Sequence, residues 1–191
     1  MTLILASRSP RRQELLTQFG LLFETQEADL DETPIEGESP EAMTERLALA
    51  KAKHIYKQNP PKNWVLGGDT TVALGEQVLG KPADTREATE MLSALSGTTH
   101  RVVSAVALVG ENFEASLIST TEVIFDTLTS GQIQAYCESK EPFDKAGGYG
   151  IQGLAGAYVK ELRGSYSGVV GLPLYETRKL LESANLLQVS G

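Results

Sequence analysis

Four short stretches of the chain carry residue types that could do chemistry. The first is Ser7-Arg8-Ser9-Pro10-Arg11-Arg12. Ser9 can cap a helix whose first residue is Pro10. Arg11 and Arg12 then fall in the first helical turn, where the macrodipole and the free N–H groups are already positive. An anion at the helix start removes that conflict. Backbone amides, the Ser7 and Ser9 hydroxyls and the guanidinium groups would then converge on a phosphate. Three arginines and two serines after an apolar run favour this over a solvated basic helix end.

The second stretch is Gly67-Gly68-Asp69-Thr70. It reads as an aspartate at the end of an apolar strand, reached through two glycines that let a ligand approach. A bulge or turn aspartate fits the same residues. Val78–Pro82 follows as a return strand, so Lys81 is expected near Asp69, as an ion pair or a phosphate contact. The third stretch is Asp29-Leu30-Asp31-Glu32. Mg²⁺ takes oxygen ligands, typically one or two carboxylates with the rest from phosphate and water. Glu32 and Asp69 could share that task, although these residues alone fit a solvated acidic loop better. The fourth is Asp144–Gly153, where four glycines permit close backbone approach and Gln152 offers a donor and an acceptor to a base edge. It matches neither a P-loop nor a dinucleotide fingerprint.

The elements that must position these residues can be drawn from periodicity and capping. Leu3–Ala6 reads as a buried strand, and a helix runs from Pro10 to about Phe19 with Leu15, Leu16 and Phe19 inward. Glu27–Ser39 is a loop. Ser39 caps a helix over Pro40–Lys57 whose inward residues are Met43, Leu47, Ala50 and Ile55. Trp64–Leu66 and Thr71–Leu74 are strand-like, separated by the glycines. Asp84 and Glu87 open a helix through Leu95, and Thr129 and Gln132 open another to Glu138. Arg101–Val109 and Ala115–Phe125 form an antiparallel hairpin. Ala157–Leu162 is a strand and Pro173–Ala184 a terminal helix. The interleaving gives an α/β fold, and the hairpin makes its sheet mixed. A single domain over 1–191, in two lobes around a cleft, is expected.

The chain has 191 residues, a net charge of −8 and an ordinary apolar fraction of 41%. That charge is poorly suited to a nucleic-acid backbone, though a small phosphate ligand needs only a few focused cations. The one cysteine, Cys137, fits a reducing compartment, and His54 and His100 show no metal-ligand spacing. Any metal must therefore be held by oxygen. The apolar opening is too short for a signal segment and no stretch reaches membrane-spanning length, so a cytoplasmic location is expected.

In combination and order, these stretches resemble the Maf family of nucleotide pyrophosphatases. The resemblance runs from Leu5 to about Leu174. It rests on Ser7–Arg12 with Leu15-Leu16, Gly68-Asp69-Thr70, Gly80-Lys81-Pro82 and Asp144–Gly153, with Arg46-Leu47-Ala48, Lys51-Ala52 and Val170–Leu174 in support. It implies a mixed α/β fold with a long curved sheet and a deep cleft, similar to the inosine triphosphatase class. It implies Asp69 as general base, Glu32, Lys51 and Lys81 as residues of the reaction, and Ser7 and Arg12 at the phosphates. Arg12, Thr70 and Gln152 match the subgroup acting on dTTP and UTP, where Thr70 and Gln152 would read a pyrimidine by hydrogen bonds. Mg²⁺ or Mn²⁺ on Glu32 and Asp69 and a homodimer are further implications.

Three positions depart from the family pattern. Gly68 stands where alanine is more usual, Arg8 where a small residue is common, and Gly164–Gly168 lacks the usual Asn-containing, Tyr-rich form. Two other functions stay open: house-cleaning hydrolysis of other modified nucleotides, and a nucleotide-sensing regulator of cell division that has no need of an ionisable Asp69.

Overall fold

The computed structural model describes residues 2–187. Met1 and residues 188–191 of the expected domain lie outside these. A seven-stranded mixed sheet forms the centre. Its strands are β1 (Leu3–Ala6), β2 (Phe23–Thr25), β3 (Trp64–Leu74), β4 (Gln77–Leu79), β5 (Thr99–Gly110), β6 (Phe113–Phe125) and β7 (Val159–Arg163). The order is β2-β1-β3-β5-β6-β7, with β4 added to β3. β1 runs parallel to both β2 and β3, and every other pairing is antiparallel. The expected mixed α/β architecture is therefore what the chain adopts.

The helices are α1 (Pro10–Thr17), α2 (Pro40–Gln58), α3 (Thr85–Leu95), α4 (Ser130–Glu138), α5 (Tyr166–Val170) and α6 (Leu174–Ser183). Their starts follow the local chemistry. The side chains of Ser9, Ser39, Asp84 and Thr129 each accept a backbone N–H of the first turn, and Thr129 with Gln132 closes a full capping box.

Alternation along β3 divides the core. Val65 packs with Ile4, Ala48, Ala52, Ile55, Ala105 and Ala107 beneath α2. Leu66 packs with Leu5, Leu16, Val106, Leu108, Leu172 and Leu181 beneath α1 and α6. At the far end, Val72 joins Leu92, Leu95, Val102, Phe125 and Tyr136 under α3 and α4. Each fully buried large apolar side chain here contributes roughly 1.5–3 kcal/mol relative to exposure.

Two expectations change. Gly67 and Gly68 do not interrupt a strand, because β3 runs unbroken through them. Gly67 is needed for proximity: a Cβ there would lie 2.2 Å from the Ala48 carbonyl oxygen, so glycine lets α2 rest directly on the strand. Asp69 is thus a mid-strand residue. In α2 the inward small residues are Ala48 and Ala52, fully buried, whereas Ala50 is only half-buried.

Candidate active site

β5 pairs with β3 from Val65 to Ala73, occupying one edge of that strand. On the other edge β1 ends its pairing at Gly67 and β4 begins at Val72. Residues 68–71 of β3 therefore have no strand on that side. The opening lies at the carboxyl end of the parallel strand β1, where open α/β sheets bind ligands. A cleft of about 1150 Å³ occupies it, and Ser7, Arg12, Glu32, Lys51, Asp69, Thr70, Lys81 and Gln152 all line its wall.

The α2 side of this opening carries charge. Lys51 follows Met43 and Leu47 at four-residue spacing and precedes Ile55 by the same step, so it belongs to the buried stripe of α2. That stripe carries it to Asp69: Lys51 Nζ donates to Asp69 Oδ1 at 2.6 Å, with both side chains about 90% buried. The same Nζ lies 2.7 Å from Oε1 of Glu32, which reaches in from the loop before α2 and stays half exposed. One ammonium thus draws two carboxylates to a common point. Among the described residues no cluster of three or more His, Cys, Asp or Glu side chains could hold a metal. Two converging carboxylates suit a hard cation that keeps its remaining ligands from phosphate and water.

The opposite face carries hydroxyls and one arginine. Arg12 comes in from α1, and its Nε donates to the Gly171 carbonyl at 2.8 Å. One terminal nitrogen reaches Ser7 Oγ at 3.4 Å and the other Thr70 Oγ1 at 3.2 Å. Burial lowers its pKa, and the nearby Asp69 carboxylate opposes that shift most strongly. Thr70 sits opposite Ser104 in the β3–β5 ladder, their oxygens 2.9 Å apart, and Ser104 donates to the Gly168 carbonyl at 2.6 Å.

All three arginines line the cleft, yet only Arg12 turns inward; Arg11 lies 3.9 Å from Asp144, and the exposed Arg8 pairs with Glu27 on the rim. Of the two readings of Lys81, the ion pair with Asp69 is not formed among the described residues, because Lys51 pairs with that carboxylate; Lys81 stands exposed on the cleft rim.

The glycine-rich stretch closes the cleft. Gln152 is exposed at its edge, and the backbone around it is fastened by Glu141. That carboxylate accepts from the Tyr136 hydroxyl at 2.9 Å and the Leu154 amide at 3.0 Å, while the Gly150 amide donates to the Tyr136 oxygen at 3.3 Å. Gly153 packs so closely on Glu141 that a Cβ would meet its carboxylate at 2.0 Å. Burial and the neighbouring Glu141 push the Tyr136 phenol upward. Lys145 donates to the Glu141 carbonyl at 2.7 Å. Tyr149 is held from below by His100, Nε2 to hydroxyl 2.7 Å, and burial depresses that imidazole to about 4.

Sequence reasoning missed Ser104, Glu141 and Lys145. Ser104 did leave a signal, since it is a hydroxyl inside the apolar run Val102–Val109. Glu141 left none, because its partners Tyr136 and Leu154 meet it only through the turns after α4.

A family model described as Maf-like protein matches residues 2–184. A protein of Myxococcus xanthus (strain DK1622) named dTTP/UTP pyrophosphatase is 53% identical over 184 residues, covering 96% of this chain and 93% of its own. One of Shewanella oneidensis with the same name is 48% identical over 194 residues, covering 98% of this chain and 100% of its own. Among solved structures, the Ham1 protein of Staphylococcus aureus overlaps 65% of this chain and 72% of its own at 15% identity, with a TM-score of 0.47.

Proposed function

Because the chain belongs to the Maf-like protein family, we propose that it hydrolyses dTTP and UTP to the nucleoside monophosphate and pyrophosphate. The observation that carries this reading is the near full-length likeness to proteins of that named activity, in a chain whose cleft unites Asp69, Lys51 and Glu32.

In the proposed reaction Asp69 accepts a proton from water as the water oxygen bonds to the α-phosphorus. The α–β bridging P–O bond breaks, and its electron pair leaves with pyrophosphate. Asp69 suits this role through placement: it is held by Lys51 at the one part of β3 that faces open space. Lys51 can follow the phosphate charge once substrate arrives, which releases the carboxylate to the water. Arg12 keeps two of its five N–H groups unclaimed, and Lys81 on the rim is free to meet the outer phosphates. Ser7 completes the phosphate end, and Gln152 with Thr70 contacts the base. Glu32 and Asp69 would hold Mg²⁺ or Mn²⁺, which when bound withdraws charge from the triphosphate.

The proposal includes a cytoplasmic homodimer that binds no nucleic-acid polymer. No helix of the described residues is long and apolar enough to cross a membrane, and the negative charge disfavours a polymeric polyanion. The test is pyrophosphate release from dTTP, UTP, 7-methyl-GTP and ITP, with divalent metal and with chelator. Metal-dependent release led by dTTP and UTP, lowered roughly 10²- to 10⁴-fold in Asp69→Asn, is expected. Full turnover in Asp69→Asn would remove that residue from the mechanism. Tight binding without hydrolysis would favour a nucleotide sensor.

A further inference from the structure

The hydroxyls beside Arg12 have a countable number of hydrogens. Ser104 is fully buried and lines no part of the cleft. Its oxygen lies 2.6 Å from the Gly168 carbonyl oxygen, a separation that requires the Ser104 hydrogen to sit between them. Ser104 can then only accept from Thr70, 2.9 Å away. Thr70 in turn accepts from Arg12 at 3.2 Å. The other acceptor near Thr70 is the Gly171 carbonyl at 3.4 Å, already taken by Arg12 Nε at 2.8 Å. On either choice the Thr70 hydrogen points into the protein. A hydroxyl has one hydrogen and two lone pairs. Thr70, half-buried in the cleft wall, therefore keeps one lone pair and no donor for a ligand.

We propose that Ser104 is a positioning residue that fixes Thr70 as an acceptor-only group, so that this wall selects a base carrying a ring N–H. Thymine and uracil present an imide N–H on the pairing edge, whereas cytosine presents a bare nitrogen at that position. An acceptor facing a bare nitrogen forms no bond and leaves both groups desolvated, which discriminates more strongly than a missing contact. The inference rests on the pyrimidine triphosphatase reading and adds to it a physical reason for rejecting cytidine nucleotides. Without Ser104 only the long 3.4 Å contact to the Gly171 carbonyl, already bonded to Arg12, holds the Thr70 hydrogen inward, and a cytosine nitrogen in the cleft can compete for it.

The experiment compares kcat and KM for dTTP, UTP and dCTP in the wild type, Ser104→Ala, Ser104→Thr and Thr70→Val. Ser104→Ala is expected to raise the dCTP-to-dTTP ratio of kcat/KM roughly five- to tenfold, the worth of one hydrogen bond, and to do so more through KM than through kcat. Ser104→Thr keeps the hydroxyl and is expected to keep the wild-type ratio, which a loss of packing alone would not predict. Should Ser104→Ala fail to fold, Thr70→Val opens the same link and is expected to raise the ratio through loss of dTTP. A wild type that prefers dTTP with an unchanged ratio in the variants overturns the assignment of Ser104 and leaves the enzyme reading intact. Equal loss of selectivity in Ser104→Thr and Ser104→Ala also overturns it. No pyrophosphate release from any of the three by the wild type overturns the enzyme reading, and this inference with it.

Discussion

The two faces of β3 solve different problems with neighbouring residues. Asp69 points toward α2 and meets an ammonium, whereas Thr70 points toward α1 and α5 and meets a guanidinium and a chain of hydroxyls. The α2 face gathers opposite charges away from water, so its pieces depend strongly on one another. The α1 face sets one guanidinium among neutral hydroxyls and carbonyls, with no opposing charge to bury, so each of its hydrogen bonds is of more modest value. A strand turns successive side chains to opposite faces. A one-residue step therefore suffices to separate the proposed chemistry from the proposed base selection.

Removing Lys51 should break the first face most severely. Lys51→Met leaves Asp69 buried without its counter-ion, and chemical denaturation should register a loss of about 3–5 kcal/mol. A loss below about 1 kcal/mol would show that the α2 face is no more interdependent than the hydroxyl face. Next comes His100, which shares the hydroxyl side with Ser104. Its folded pKa, near 4, lies below the value of about 6.5 expected when unfolded. The unfolded chain thus binds more protons between those values, and stability must fall as pH drops from about 6.5 to 4. The contribution, full above that window, is roughly 3 kcal/mol, and His100→Gln should flatten this part of a stability-versus-pH curve. The smallest effect comes from the paired glycines. Gly67→Ala drives a Cβ into the α2 backbone and should cost about 1–3 kcal/mol while slowing turnover by displacing Lys51. Gly68→Ala meets nothing nearer than Arg12 Nε at 3.5 Å and should be close to neutral. Equal melting temperatures for the two variants would contradict the asymmetry.

Much of this was legible in the sequence because short-range rules govern it. The serine, aspartate and threonine caps placed four helix starts, and two β-rich runs on either side of a short turn placed the long hairpin. What escaped depends on approach between distant segments. Gly67 looked like a break because glycine marks turns as well as close packing, and only the position of Ala48 distinguishes the two. The three-residue strand Phe23–Thr25 and the five-residue helix Tyr166–Val170 are too short for periodicity to register. At the site, Asp69 and the Ser7–Arg12 start announced themselves by residue type. Lys51 lay on the stripe of Met43, Leu47 and Ile55, yet a lysine on a buried face is ordinarily discounted unless its partner is known. Ser104 showed only as a hydroxyl in an apolar run, since its partners Thr70 and Gly168 lie far away in sequence. Glu141 meets Tyr136 and Leu154 only through the turns after α4.

The gap along residues 68–71 is framed by two strand ends, and that makes its width a matter of strand length. Each residue added to the end of β1 would advance the ladder by about 3.3 Å and cover one more position of β3; each one removed would expose one. The aperture is therefore quantised. A chain of this design can refit itself to a bulkier or slimmer guest by moving a strand terminus one step, with the ladder on the β5 side left undisturbed.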